Sequence, residues 1–108
     1  MPLSNLTSSE VAIVGECLRA AAYGPFFPDA EFGTLLGLSR QEVQEISDRF
    51  PNLDEADNDS GELSDASLAI NNAFANLIGY PHGVRQRWSQ YISVSPDDLK
   101  ALLYKWRG

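Results

Sequence analysis

Residues 66–84 read ASLAINNAFANLIGYPHGV and contain no Asp, Glu, Lys or Arg, in a chain that is 21% charged. The first part has helical spacing. Leu63, Ala66, Ile70, Ala73, Phe74 and Leu77 share one face. The reverse face carries Leu68 and Ala75 beside Asn72 and Asn76. A helix that is apolar on nearly every side belongs among other helices. The spacing therefore predicts a central helix at about 63–79, with the rest of the chain packed around it. Asn71, Asn72, Asn76, Gly79 and Pro81 interrupt the stretch and make it a poor membrane span.

The helices expected around it announce themselves by their caps. Thr7-Ser8-Ser9-Glu10 and Ser39-Arg40-Gln41-Glu42 both have capping-box spacing. Ser95, with Pro96 in the first helical position and Asp98 two residues on, opens a last helix with the stripe Leu99, Leu102, Leu103 and Trp106. The first helix buries Val11, Val14, Cys17, Leu18, Ala21 and Ala22, and Gly24 is expected to close it in a left-handed cap before Pro25. Phe26 and Phe27 are then expected to plug the core, the alternative being an exposed binding patch. Asp29 is expected to cap a short helix at 30–36 that ends at Gly37. A third helix runs from residue 40 to about 50, with Val43, Ile46 and Phe50 inward. Another short helix is expected at 84–92, with Val84, Trp88, Tyr91 and Ile92 inward. No segment sustains the alternation of a strand. The expected fold is all-α: a compact bundle of five to six short helices, with residues 1–108 forming a single helical domain.

Charge narrows the partners. The net charge is −7, and residues 1–80 hold 3 basic and 13 acidic side chains, whereas residues 81–108 hold 5 basic and 2 acidic. A −10 body beside a +3 C-terminal part disfavours nucleic acid and anionic membranes and favours a basic protein. The densest acid lies at residues 52–65, NLDEADNDSGELSD, with six carboxylates and no base. Asp54, Glu55, Asp57, Asp59 and Glu62 are the candidate partner-binding residues. The loop fails as a calcium site, because Gly61 in the sixth position would place Ala56 first and Ser67 last. The opposed charges of the two parts also permit a homodimer. One cysteine precludes an internal disulfide, and the N-terminal MPLSNLTSSE lacks the basic and apolar runs of a secretory signal. The expected location is the cytoplasm.

Residues 32–50, FGTLLGLSRQEVQEISDRF, resemble a helix-turn-helix. Gly33 stands where the two helices of that motif touch, Gly37 at the turn, and Phe32, Leu36, Leu38, Val43 and Ile46 around both. The resemblance implies a DNA-binding regulator with Ser39, Arg40, Gln41 and Gln44 facing the groove. Glu42, Glu45 and Asp48 on the same helix oppose phosphate binding. Two strings, GPFFPDAEFGTLLGL and NNAFANLIGYPHG, are similar to segments of small uncharacterised bacterial helical proteins, which implies one compact domain and no particular activity.

Chemistry-bearing residues are few. Cys17 and His82 are the sole cysteine and histidine, so a Cys–His enzyme is a second alternative. Cys17 falls on a buried stripe, where a core thiol is expected to be inert. No phosphate-binding glycine loop, metalloprotease motif or serine elbow is present. No cofactor or metal is expected. Asn72, Asn76 and His82 form a possible polar site, although carboxamides on a central helix are expected to bind either the open ends of neighbouring helices or the turn from Tyr80 to Gly83. The leading expectation is a non-enzymatic interaction module of inhibitor, immunity or adaptor type, its acidic surface binding a basic protein.

Overall fold

The computed structural model describes residue 3 and residues 6–50, 65–80 and 83–107. Five α-helices are present among them: α1 (Ser8–Tyr23), α2 (Asp29–Leu36), α3 (Arg40–Arg49), α4 (Asp65–Gly79) and α5 (Pro96–Arg107), with a 3-10 segment (Arg85–Gln90) before α5. No strand occurs among the described residues. The fold is all-α, and the radius of gyration of 12.9 Å is that of a tightly packed chain of this length.

The caps form where the sequence places them. The Thr7 hydroxyl accepts from the Glu10 amide at 3.2 Å, and the Glu10 carboxylate accepts from the Thr7 amide at 2.8 Å. Ser39 and Glu42 repeat this arrangement at 3.1 and 3.0 Å. The Ser95 hydroxyl accepts from the Asp98 amide. Each cap satisfies helix-terminal donors that have no partner inside the helix.

Two boundaries differ from expectation. Gly24 is extended (φ −86°, ψ 177°), not left-handed. The reason is Pro25, whose ring clashes with a helical or left-handed residue before it and drives that residue into the extended region. The Gly24 amide still reaches the Ala20 carbonyl at 2.9 Å. At α2 the cap is Pro28, with no side-chain hydrogen bond, and Asp29 is already the first helical residue. The Asp29 carboxylate turns to Arg40 instead, at 2.8 Å. A third difference lies at 84–92, where the chain coils as a 3-10 helix and not an α-helix. The tighter turn still brings Trp88 and Ile92 into the core and leaves Val84 and Tyr91 half-buried.

Helix α4 packs against each of the four other α-helices. It buries Ala66, Ala69, Ile70, Ala73, Phe74 and Leu77, so the uncharged stretch is indeed the hub; Leu63, expected on the same face, lies outside the described residues. Helix α1 lies against α4 and α3. At the α1–α3 crossing the Phe50 ring rests on Gly15, and a Cβ there would sit 2.9 Å from it. Phe26 and Phe27 are buried, at 1% and 3% exposure. Phe26 meets Trp88 and Tyr91 edge-on at 5.9 and 5.5 Å, and Phe27 meets Phe32 and Tyr80 at 6.4 and 5.8 Å. The stiff loop after α1 thus ties the 3-10 segment to α2.

Two caps also make stability depend on pH. The Lys105 ammonium, with the Thr7 amide, holds the Glu10 carboxyl below its ordinary value of 4.5. The Ser39 amide and hydroxyl do the same for Glu42. A carboxyl depressed by folding adds stability that is present above its unfolded value and lost as pH falls through its folded one. The melting temperature is therefore expected to fall below about pH 4.5. The double replacement Glu10→Gln and Glu42→Gln should flatten that acid limb, measured by thermal unfolding across pH 3 to 7. An unchanged acid limb would show that these caps do not carry it.

Candidate functional site

Helices α2 and α3 form the described part of the acidic surface. Asp29, Glu31, Glu42, Glu45 and Asp48 are all exposed there. Some have local work as well. The Tyr80 hydroxyl donates to Glu31, and the Tyr23 hydroxyl donates to Asp48 at 2.9 Å. Hydrogen bonding to those carboxylates raises both phenols above the usual value of 10. The expected partner-binding residues Asp54, Glu55, Asp57, Asp59 and Glu62 lie outside the described residues. They continue the same acid in sequence. Between residues 29 and 65 eleven carboxylates stand against two arginines, net −9.

One of those arginines turns inward. Arg40 donates from Nε to Asp29 at 2.8 Å, from Nη1 to the Ala22 carbonyl at 3.1 Å and from Nη2 to the Phe27 carbonyl at 2.7 Å. Its guanidinium lies 4.4 Å over the Phe32 ring. Gln44, one helical turn on, donates to the same Ala22 carbonyl at 3.3 Å. Together they close the C-terminal end of α1, where carbonyls lack intrahelical partners and the helix dipole favours a cation. Ser39 is spent on its own cap, and Gln41 is exposed. Three of the four residues expected to face a DNA groove, Ser39, Arg40 and Gln44, therefore have partners within the fold.

The turn itself is as expected. Gly37 is left-handed (φ 72°) and its amide bonds the Gly33 carbonyl. The contact expected at Gly33 is absent among the described residues, none of which lies within 4 Å of a Cβ built there. Helix α3 instead packs mainly on α1. The small residue that a helix-turn-helix needs at its crossing is thus not used as one.

The asparagines bind an open helix end. Asn72 Nδ2 donates to the Leu36 carbonyl and Asn76 Nδ2 to the Leu35 carbonyl, both at 2.8 Å. These are last-turn carbonyls of α2. Asn71 faces elsewhere, its Oδ1 accepting from Arg107 Nε at 3.0 Å and from its Nη2 at 2.8 Å. His82, the third residue of the possible polar site, lies outside the described residues. Cys17 is fully buried, and burial pushes its thiol well above the ordinary value of 9.0. The Cys–His alternative is left without an accessible nucleophile.

The inward turn of Arg40 has no sequence signature. Two of its three acceptors are backbone carbonyls 13 and 18 residues earlier, and any residue supplies a carbonyl. Among the described residues no group of three or more His, Cys, Asp or Glu could hold a metal ion, and no helix is long and apolar enough to cross a membrane. No family model matches the chain, and comparison with curated proteins and with solved structures returned no match.

Proposed function

We propose that this chain is a non-enzymatic interaction module of inhibitor, immunity or adaptor type, and that its acidic surface docks on a basic protein. One observation carries the reading: residues 29–65 carry a net charge of −9 in sequence, the described carboxylates among them (Asp29, Glu31, Glu42, Glu45, Asp48 and Asp65) are all exposed, and Arg40, one of the two arginines, points inward. Exposed like charges within a Debye length of one another repel, so a segment this acidic costs the isolated fold and is offset when a cationic surface meets it. Such a surface speeds encounter more than it deepens affinity.

The test is an association rate. Tagged protein retrieves its basic partner from lysate, and the purified pair is mixed in stopped flow at several salt concentrations. Replacing Asp54, Glu55, Asp57 and Asp59 by lysine should slow association roughly tenfold at low salt, with little change in dissociation. A rate indifferent to both salt and charge reversal would sink the proposal. Recovery of nuclease-sensitive DNA in place of a protein would do so as well and would favour the helix-turn-helix.

A further inference from the structure

Helices α1 and α5 both pack on α4 and scarcely touch one another. The gap between them is an open groove of about 260 Å³, lined by Glu10, Ile13, Val94, Asp98, Ala101, Leu102 and Lys105. Asp98, Ala101, Leu102 and Lys105 follow helical spacing and form one stripe along α5, about 10 Å long. Glu10 and Ile13 of α1 form the facing wall, one turn apart. The floor is apolar. Lys105 Nζ bonds Glu10 at 2.7 Å and closes one end. Asp98 stands at the other end, exposed, and no cation among the described residues pairs with it.

Size and chemistry together select the occupant. The volume lies just below the range of sites that enclose a drug-sized ligand. It suits one long side chain instead. An apolar floor asks for methylenes, and a carboxylate at the open end asks for a cation. Lysine and arginine combine the two, an aliphatic stem under a charged head. An aliphatic side chain would gain the burial of the floor but leave Asp98 partly desolvated with no charge to pair it. An acidic one would meet Asp98 and Glu10.

We propose that this groove seats one cationic side chain of the basic partner, its methylenes over Ile13, Val94 and Leu102 and its charge at Asp98. The inference rests on the acidic-docking reading and adds to it a specific seat on a different pair of helices. The groove gives register, which diffuse charge at residues 29–65 cannot, because an apolar slot with one charged end accepts a side chain in one direction only.

The probes are two blocked tripeptides, acetyl-Gly-Arg-Gly-amide and its norleucine counterpart, titrated into isotope-labelled full-length protein and followed by amide chemical shifts at physiological salt. The arginine peptide should move the amides of Ile13, Val94, Ala101 and Leu102. Binding should weaken about threefold with norleucine, and equally with Asp98→Asn, as expected for a partly exposed ion pair. Ala101→Trp, at an exposed position, should fill the groove and abolish the shifts while the rest of the spectrum stays in place. Equal shifts with both peptides, shifts confined to α2 and α3, or no shifts at all would overturn the seat. The stopped-flow experiment is separate. Association slowed by charge reversal at residues 54–59, with no groove shifts, removes the seat alone. Groove shifts with association indifferent to that reversal keep the seat and remove the acidic-surface reading.

Discussion

Replacement of Arg40 by alanine is expected to lower the unfolding free energy by about 3 kcal/mol, although the residue was a candidate for contact with DNA. The side chain makes three charge-assisted hydrogen bonds and is only 26% exposed. Deleting it leaves the Phe27 carbonyl without its donor and leaves the Ala22 carbonyl to Gln44 alone. It also uncovers the face of Phe32. Arg40→Lys should recover less than half of the loss, because one ammonium cannot reach three acceptors held by a planar fork. Asp29→Asn should cost under about 0.5 kcal/mol, since the Asp29 side chain is 90% exposed and its ion pair is screened. Urea unfolding at neutral pH measures all three. Equal and small effects for the three variants would show that Arg40 faces solvent, and would return it to the list of residues available to a ligand.

The second large effect is expected at Asn76. Its Nδ2 donates to the Leu35 and Asn72 carbonyls, both at 2.8 Å. Asn76→Asp is nearly isosteric, but at neutral pH an aspartate has no donor, and its oxygen would stand against two carbonyl oxygens. The loss should be about 2 to 3 kcal/mol. Its pH dependence has a definite sign. Folding would raise the carboxyl of the introduced side chain above its unfolded value of about 3.9. The destabilisation is then absent below that value and grows as pH rises through the folded one. Measured against wild type at each pH, the variant should regain stability as the solution is acidified, because a protonated carboxyl can donate. The acid limb set by Glu10 and Glu42 runs the other way and cancels in that comparison. A penalty constant between pH 3 and 7 would mean that Asn76 fills space and supplies no hydrogen bond.

Asn76 also shows how far a sequence reaches. A carboxamide on an otherwise apolar helix has to find a partner, so the need for one was legible from residue type and place, with an open helix end and the turn from Tyr80 to Gly83 as the two candidates. That the end belongs to α2, through Leu35 and Leu36, was not legible, because the pairing spans 41 residues for Asn76 and 36 for Asn72. Arg40 reverses the case. Its residue type suggests solvent or phosphate, and only the approach of the α1 carboxyl end turns it inward. Gly24 is different again. A glycine after a helix suggests a left-handed cap, yet the proline beside it prescribes an extended residue, and the nearer steric rule wins.

The sequence by itself determined what depends on neighbours within a few residues. The caps at Thr7, Ser39 and Ser95 are of this kind, as are the left-handed Gly37, the apolar stripes of α1, α4 and α5, and the acidic excess of residues 29–65. Hydrogen bonds and side-chain spacing over one or two helical turns are encoded in residue order. The tertiary structure decided which carbonyls Arg40, Asn72 and Asn76 would close, that α3 would lie on α1 and leave Gly33 exposed, and that α1 and α5 would both lie on α4 and leave a groove between them. The physical reason is common to all three. Backbone carbonyls are identical at every position, and helix packing is chosen by the sum of many weak contacts across the core. Neither leaves a mark on any short stretch of sequence.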